Sequence, residues 1–201
     1  MATESTRFYG LVLIAALFLG GCATGATAEG MTVKASDIKG PPSPGVASAV
    51  GVGAVEGGEK TDPLLMSQID NPTFKKALVV SLRKAGLLSG DAHPKYVVAV
   101  ELIALKQPIF GTDMKVTSVI RYRLRDAATG ALVLDEEIFA PYTAKFTDSL
   151  IGTQRLRLAN EGAARRSIAT LIEKLNAAST STSKSAAPPA PAATLAATYS
   201  L

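Results

Sequence analysis

Reactive side chains are sparse in this 201-residue chain, and two arrangements could do chemistry: a lone thiol and a row of guanidinium groups. Cys22 is the single cysteine and follows Leu19-Gly20-Gly21 at the end of an apolar run, where its sulfur could carry an acyl modification. Arg121, Arg123 and Arg125 are spaced by two, which projects all three from one side of a strand. Guanidinium forks suit phosphate and carboxylate in bidentate geometry. The stripe could therefore contact lipid A phosphates, other anionic envelope polymers or an acidic partner surface. On the other reading, Asp135, Glu137 and Glu101 on flanking strands neutralise it as cross-strand pairs.

No catalytic or metal site emerges beside these. His93 is the single histidine and sits in Asp91-Ala92-His93-Pro94, a linker before a strand; with one cysteine it cannot build a His/Cys zinc site. A His-x4-Asp acyltransferase motif fails because Val98 stands where the acid belongs, and no hexapeptide period is present. The glycine-laced 51–58 stretch lacks a third glycine at the required spacing and the following apolar helix of a phosphate loop. There is no Gly-x-Ser-x-Gly elbow. Asp135, Glu136 and Glu137 read as a solvated strand edge, and no aromatic array accompanies the arginines to stack nucleic-acid bases.

Residues 1–7 are polar with one basic side chain, and 8–19 form an apolar run interrupted by Gly10. As a helix this run covers roughly 18 Å, against about 30 Å for a bilayer core, so it reads as an export signal and not as a span. Leu19-Gly20-Gly21-Cys22 resembles the lipobox of bacterial lipoproteins. That resemblance implies cleavage before Cys22, thioether attachment of diacylglycerol and acylation, typically palmitate, of the new amino group. Ala23 in place of Asp implies, by the sorting rules of the same proteins, the periplasmic face of a Gram-negative outer membrane. Stable attachment needs at least two acyl chains, which this modification supplies. No other cofactor is expected.

The expected organisation is a signal peptide at 1–21, a flexible tether at 22–45, an α+β periplasmic domain at 46–176 and a disordered Ala/Pro/Ser/Thr-rich tail at 177–201. A free tether of that length would hold the domain roughly 25 Å from the lipid. Within the domain, Asn71-Pro72 is read as an N-cap followed by proline, and Phe74, Leu78, Leu82 and Ala85 recur at helical spacing until Gly86. Tyr96, Val98, Val100, Leu102 and Ala104 alternate on one strand face; Val116, Ile120, Tyr122 and Leu124 do so on a second strand at 114–126. A third strand at 131–139 carries Leu132, Leu134 and Ile138, joined through Asp126-Ala127-Ala128-Thr129-Gly130 as a hairpin. The register expected there sets Leu124 opposite Leu132, Tyr122 opposite Leu134 and Arg121 opposite Asp135, and turns Glu136 inward. A second helix at 153–176 has a thin middle at Gly162-Ala163-Ala164, and the Val/Ala/Gly alternation at 46–55 supplies a further strand. The fold class is thus α+β: two helices on one face of a small, mixed, mostly antiparallel four-stranded sheet, in the order β-α-β-β-β-α.

With the lipobox, this order resembles the lipopolysaccharide-assembly lipoproteins that plug the outer-membrane lipopolysaccharide exporter, and the small YajG-like lipoproteins. Residues 71–86 and Arg121-Tyr122-Arg123-Leu124-Arg125-Asp126 through Leu134 carry the resemblance. The expected function is that of a non-enzymatic accessory or assembly factor working through protein contacts at the outer membrane. Binding of an anionic glycolipid or wall polymer through the arginine stripe is the alternative. A lipid- or sugar-modifying acyltransferase comes third.

Overall fold

The computed structural model describes residues 23–61 and 67–185. The signal segment, Cys22 and 186–201 lie outside the described residues. The elements in chain order are α1 (Ala28–Met31), a 3₁₀ turn (Ala35–Asp37), β1 (Val50–Glu56), α2 (Asn71–Lys84), β2 (Tyr96–Lys106), β3 (Met114–Asp126), β4 (Leu132–Ala144), a second 3₁₀ turn (Phe146–Asp148) and α3 (Gly152–Ser185). The strands form one open mixed sheet ordered β1-β2-β3-β4, with β1 parallel to β2 and the other pairs antiparallel. No described helix is long and apolar enough to cross a membrane.

The apolar spacing of α2 places Phe74, Ala77, Leu78 and Leu82 in the core, all fully buried. Its cap lies one residue before the expected position. Asp70 is the N-cap, accepting from the Thr73 amide at 2.9 Å and from the Thr73 hydroxyl at 2.7 Å, while Asn71 Oδ1 accepts from the Gly58 amide. A carboxylate three residues before a threonine satisfies two donors at once, which Asn71 cannot match from inside the helix. Gly86 ends the helix at φ +70°, with Leu87 N–H donating to Leu82 O at 2.9 Å and Gly86 N–H to Arg83 O at 3.1 Å. These two bonds form a Schellman closure.

Residues 153–176 do form a helix, and Leu156, Ala164, Ile168, Leu171 and Leu175 line its buried side. Its middle sits close on the sheet: Ala163 and Ala164 are fully buried, and a Cβ at Gly162 would overlap the ring of Tyr142 on β4. Contrary to expectation, the helix continues to Ser185, so 177–185 is helical and the disordered tail cannot begin at 177. Alanine is the best helix former, and the helix already in place extends through Ala177 and Ala178 without a new nucleation step.

Three further expectations are corrected. Residues 23–45 are not a free tether: Met31 and Val33 are fully buried, Val33 N–H donates to Ser81 Oγ at 3.1 Å, and Ser43 bonds Asn176 through both its amide and its hydroxyl. The folded body therefore begins well before residue 46, and β1 begins at Val50 because 43–49 form turns, with Ser48 at φ +50°. The β3–β4 register is displaced by two, pairing Leu124 with Leu134, Tyr122 with Glu136, Arg123 with Asp135 and Arg121 with Glu137. A shift of two preserves the faces; Val133 becomes a bulge and Leu132 turns to solvent. Ala104 leaves the helix-facing row because Ile103 is an extra residue in β2, opposite the Ile120–Val119 step. The inward Glu136 then has a physical account: it reaches the rim of α3, where it pairs with Lys174 at 3.1 Å.

Candidate interaction surface

Helices α2 and α3 cover one side of the sheet, and the other side faces solvent. The side chains there follow from strand alternation. On β3 they are Lys115, Thr117, Val119, Arg121, Arg123 and Arg125; on β4 they include Asp135, Glu137, Phe139 and Pro141. The three sequence-nominated arginines do share this face, but they are not equally available. Arg121 grips Asp135 bidentately, Nε to Oδ1 and Nη2 to Oδ2, both at 2.7 Å. Arg123 Nη2 reaches Glu101 at 2.6 Å. Both acids are diagonal neighbours of their arginine, two residues from the position directly opposite, a distance that a long side chain spans. Arg125 donates to the Gly130 carbonyl at 3.0 Å and, among the described residues, has no carboxylate at ion-pair distance.

These contacts set the local electrostatics. The hydrogen bonds from Arg121 hold the Asp135 carboxyl below the usual carboxylate range. Asp126 is held low as well, chiefly by the Thr129 amide and hydroxyl, in the turn that ends with Gly130 at φ +71°. The paired half of the face is consequently almost neutral.

The other half is apolar. Phe139 is 59% exposed and pairs across the ladder with Val119 on β3, which is itself buried; Ile103, 45% exposed, is the extra residue of β2 opposite the Ile120–Val119 step. Lys106 Nζ sits 6.0 Å from the Phe139 ring centroid. The outer edge of β4 pairs with no described strand over Leu132–Ala144, and Pro141 removes one donor from that strand. Sequence reading located the arginines and missed this apolar patch. Phe139 was visible as an alternation partner of Ile138, whereas Ile103 depends on a bulge that no residue type announces.

His93 is exposed in the bend before β2. Among the described residues no group of three His, Cys, Asp or Glu side chains could hold a metal ion. Tyr122, the one fully buried phenol among the described residues, is hydrogen-bonded to Ser167 at 2.9 Å beneath α3, and burial pushes its ionisation above the ordinary value. It belongs to the core and not to a site.

No protein-family model matches the chain, and no curated protein matches it. Among solved structures the chain is similar to protein XCC0632 from Xanthomonas campestris, of family model DUF330, at 12% identity over 81% of this chain and 97% of that one, with a TM-score of 0.48. It is similar to a candidate lipoprotein from Caulobacter crescentus at 15% identity over 68% and 93% of the two chains, TM-score 0.46. A PelC dodecamer from Paraburkholderia phytofirmans is similar at 15% identity over 69% and 94%, TM-score 0.45.

Proposed function

We propose that this protein is a lipid-anchored envelope lipoprotein, acylated at Cys22 and held on the periplasmic face of the outer membrane, whose domain acts without catalysis by binding another envelope protein. The observation that carries the protein-contact reading is the solvent-facing side of the sheet. It combines an arginine row neutralised at Arg121 and Arg123, exposed apolar side chains at Phe139 and Ile103, and a β4 edge that pairs with no described strand. An exposed aromatic beside an open strand edge is what a protein partner covers. Assembly of lipopolysaccharide is one process such an accessory would serve.

The test is a photo-crosslinking residue placed at Phe139 or Val133 in cells. The expected result is one discrete adduct with an envelope protein, lost when Phe139→Asp is added to a chain crosslinked from Val133. Absence of any adduct from either position would defeat the protein-contact reading. Binding of an anionic polymer through the stripe is the weaker reading, because two of its three guanidinium groups are already satisfied by acids of the same sheet. It would rest on Arg125, and Arg125→Ala should then abolish retention of the protein on immobilised lipopolysaccharide.

A further inference from the structure

Five large apolar side chains stand out at one end of the molecule. Ile109 and Phe110, 89% and 85% exposed, form the tip of the β2–β3 loop; Leu150, 78% exposed, lies with Phe146 and Ile151 on the β4–α3 connection. Strand pairing puts both loops at the same end, since Lys106 pairs with Thr117 and Met114 with Ala144. The loops are also tied to each other: Phe146 N–H donates to Asp113 Oδ1 at 2.9 Å. Arg155 braces the second loop from beneath, donating to Ser149 O at 2.6 Å with its guanidinium 5.1 Å from the Phe146 ring centroid. A braced backbone thus holds the apolar tips in water. Single exposed apolar residues are ordinary, but a cluster of this kind marks a contact surface.

The chain itself says what lies on that side. Arg157 donates to Thr24 Oγ1 at 3.2 Å, and Arg157 is only about 8 Å along the helix axis from Gly152. Ala26 N–H donates to Gln68 O, and Gln107, the residue after β2, donates to Ser67 O at 2.8 Å. The first described residues, up to Thr24 and Ala26, therefore lie at the end that carries the apolar tips. Lys106, Lys115 and Lys145 are exposed around the same end.

We propose that this end is a membrane-docking face: loops 107–113 and 145–151 seat their apolar tips in the interfacial zone of the phospholipid bilayer to which Cys22 is fastened. This rests on the anchored reading for the side of the molecule that meets lipid. The tips sink to the boundary between headgroups and acyl chains, while the lysines remain at headgroup level and attract anionic lipid. The domain is then held in a fixed orientation with its sheet face turned sideways to the bilayer, open to a partner.

The chain contains no tryptophan, so Phe110→Trp and Phe146→Trp each give the full-length protein a single reporter. A third variant, His93→Trp, reports from the far end of β2, whose eleven residues span about 33 Å. Each variant, produced with its own signal, is placed in phosphatidylethanolamine–phosphatidylglycerol vesicles whose acyl chains are brominated near the headgroup. Insertion of ~5–10 Å should cost each tip reporter roughly half its emission and leave His93→Trp unquenched. Unquenched tips, or equal quenching at all three positions, would overturn the proposal and point to a protein occupant or a tumbling domain. Intact mass of the same samples reads Cys22 separately. Acylated protein with unquenched tips defeats docking alone; unmodified Cys22 with quenched tips defeats the anchor and leaves docking; unmodified and unquenched protein defeats both.

Discussion

Individual carboxylates and one phenol set how this protein answers to pH. Asp135 and Asp126 are both held below the usual carboxylate range, the first by hydrogen bonds from Arg121 and the second by the Thr129 amide and hydroxyl. A carboxyl whose native ionisation is depressed contributes stability that is complete above its unfolded value and is lost as the pH falls through the native one. Urea midpoints should therefore fall as the pH is lowered below about 4, and Asp135→Asn with Asp126→Asn should flatten that slope. An unchanged slope in the double variant would mean that neither contact persists in solution. Tyr122 behaves in the opposite sense. Burial raises its ionisation, so its contribution is intact below about pH 10 and is lost as the pH rises further. Tyr122→Phe should cost about 1 kcal/mol at neutral pH, through the lost bond to Ser167, and should blunt alkaline unfolding.

At the scale of elements, much of the fold was legible because local rules and burial agree. The bounds of β2 and β3 coincide with their apolar alternation, and the Gly86 stop and the Asp126–Gly130 turn follow from residue types that few other conformations accommodate. The strand register was not legible, since pairings displaced by two keep the same residues inside and only the Val133 bulge decides between them. Of the three acids expected to neutralise the stripe, Asp135 and Glu101 form ion pairs with it, diagonally and not directly opposite, while Glu137 stands opposite Arg121 with no ion pair among the described residues. The close approach of α3 to the sheet was readable from its small residues, and it makes a sharp test. Gly162→Val would drive two methyl groups into the Tyr142 ring and should destabilise the protein by about 1–3 kcal/mol, read as a lowered thermal midpoint. Were the midpoint unchanged, α3 could not be packed on β4 as described. The control Ala178→Val, at a partly exposed position further along the same helix, should stay within about 0.5 kcal/mol.

For the whole molecule, the consequential departure from the sequence reading is that 23–45 is a strap and not a tether. Its glycines, serines and prolines look like linker composition, yet the segment is bonded to α3 at several points, and Met31 and Val33 within it are fully buried. A Cβ at Gly30 would overlap the Glu161 carboxylate, so a side chain there would have to displace it from its present position. Glu161 Oε1 accepts from the Thr27 amide at 2.9 Å and the Thr27 hydroxyl at 2.8 Å, and Arg165 donates to Gly30 O at 2.9 Å. Met31 and Val33 then fix the next stretch by burial, and Val33 also donates its N–H to Ser81 Oγ and accepts from Lys84 Nζ, contacts that Glu161 does not share. The two halves of the strap should consequently detach separately. Glu161→Ala leaves the Thr27 amide without its acceptor, a loss of about 1–3 kcal/mol that should speed cleavage after Glu29 by a glutamyl endopeptidase by at least about fivefold. Trypsin cleavage after Lys34 and Lys39 should be unchanged in the same variant, because the buried Met31 and Val33 still hold that stretch. Equal acceleration at all three positions would mean that the strap is one loose segment. The short reach implied by the strapped form would then give way to the roughly 25 Å freedom of a coil, too long a leash to keep the apolar tips on the bilayer.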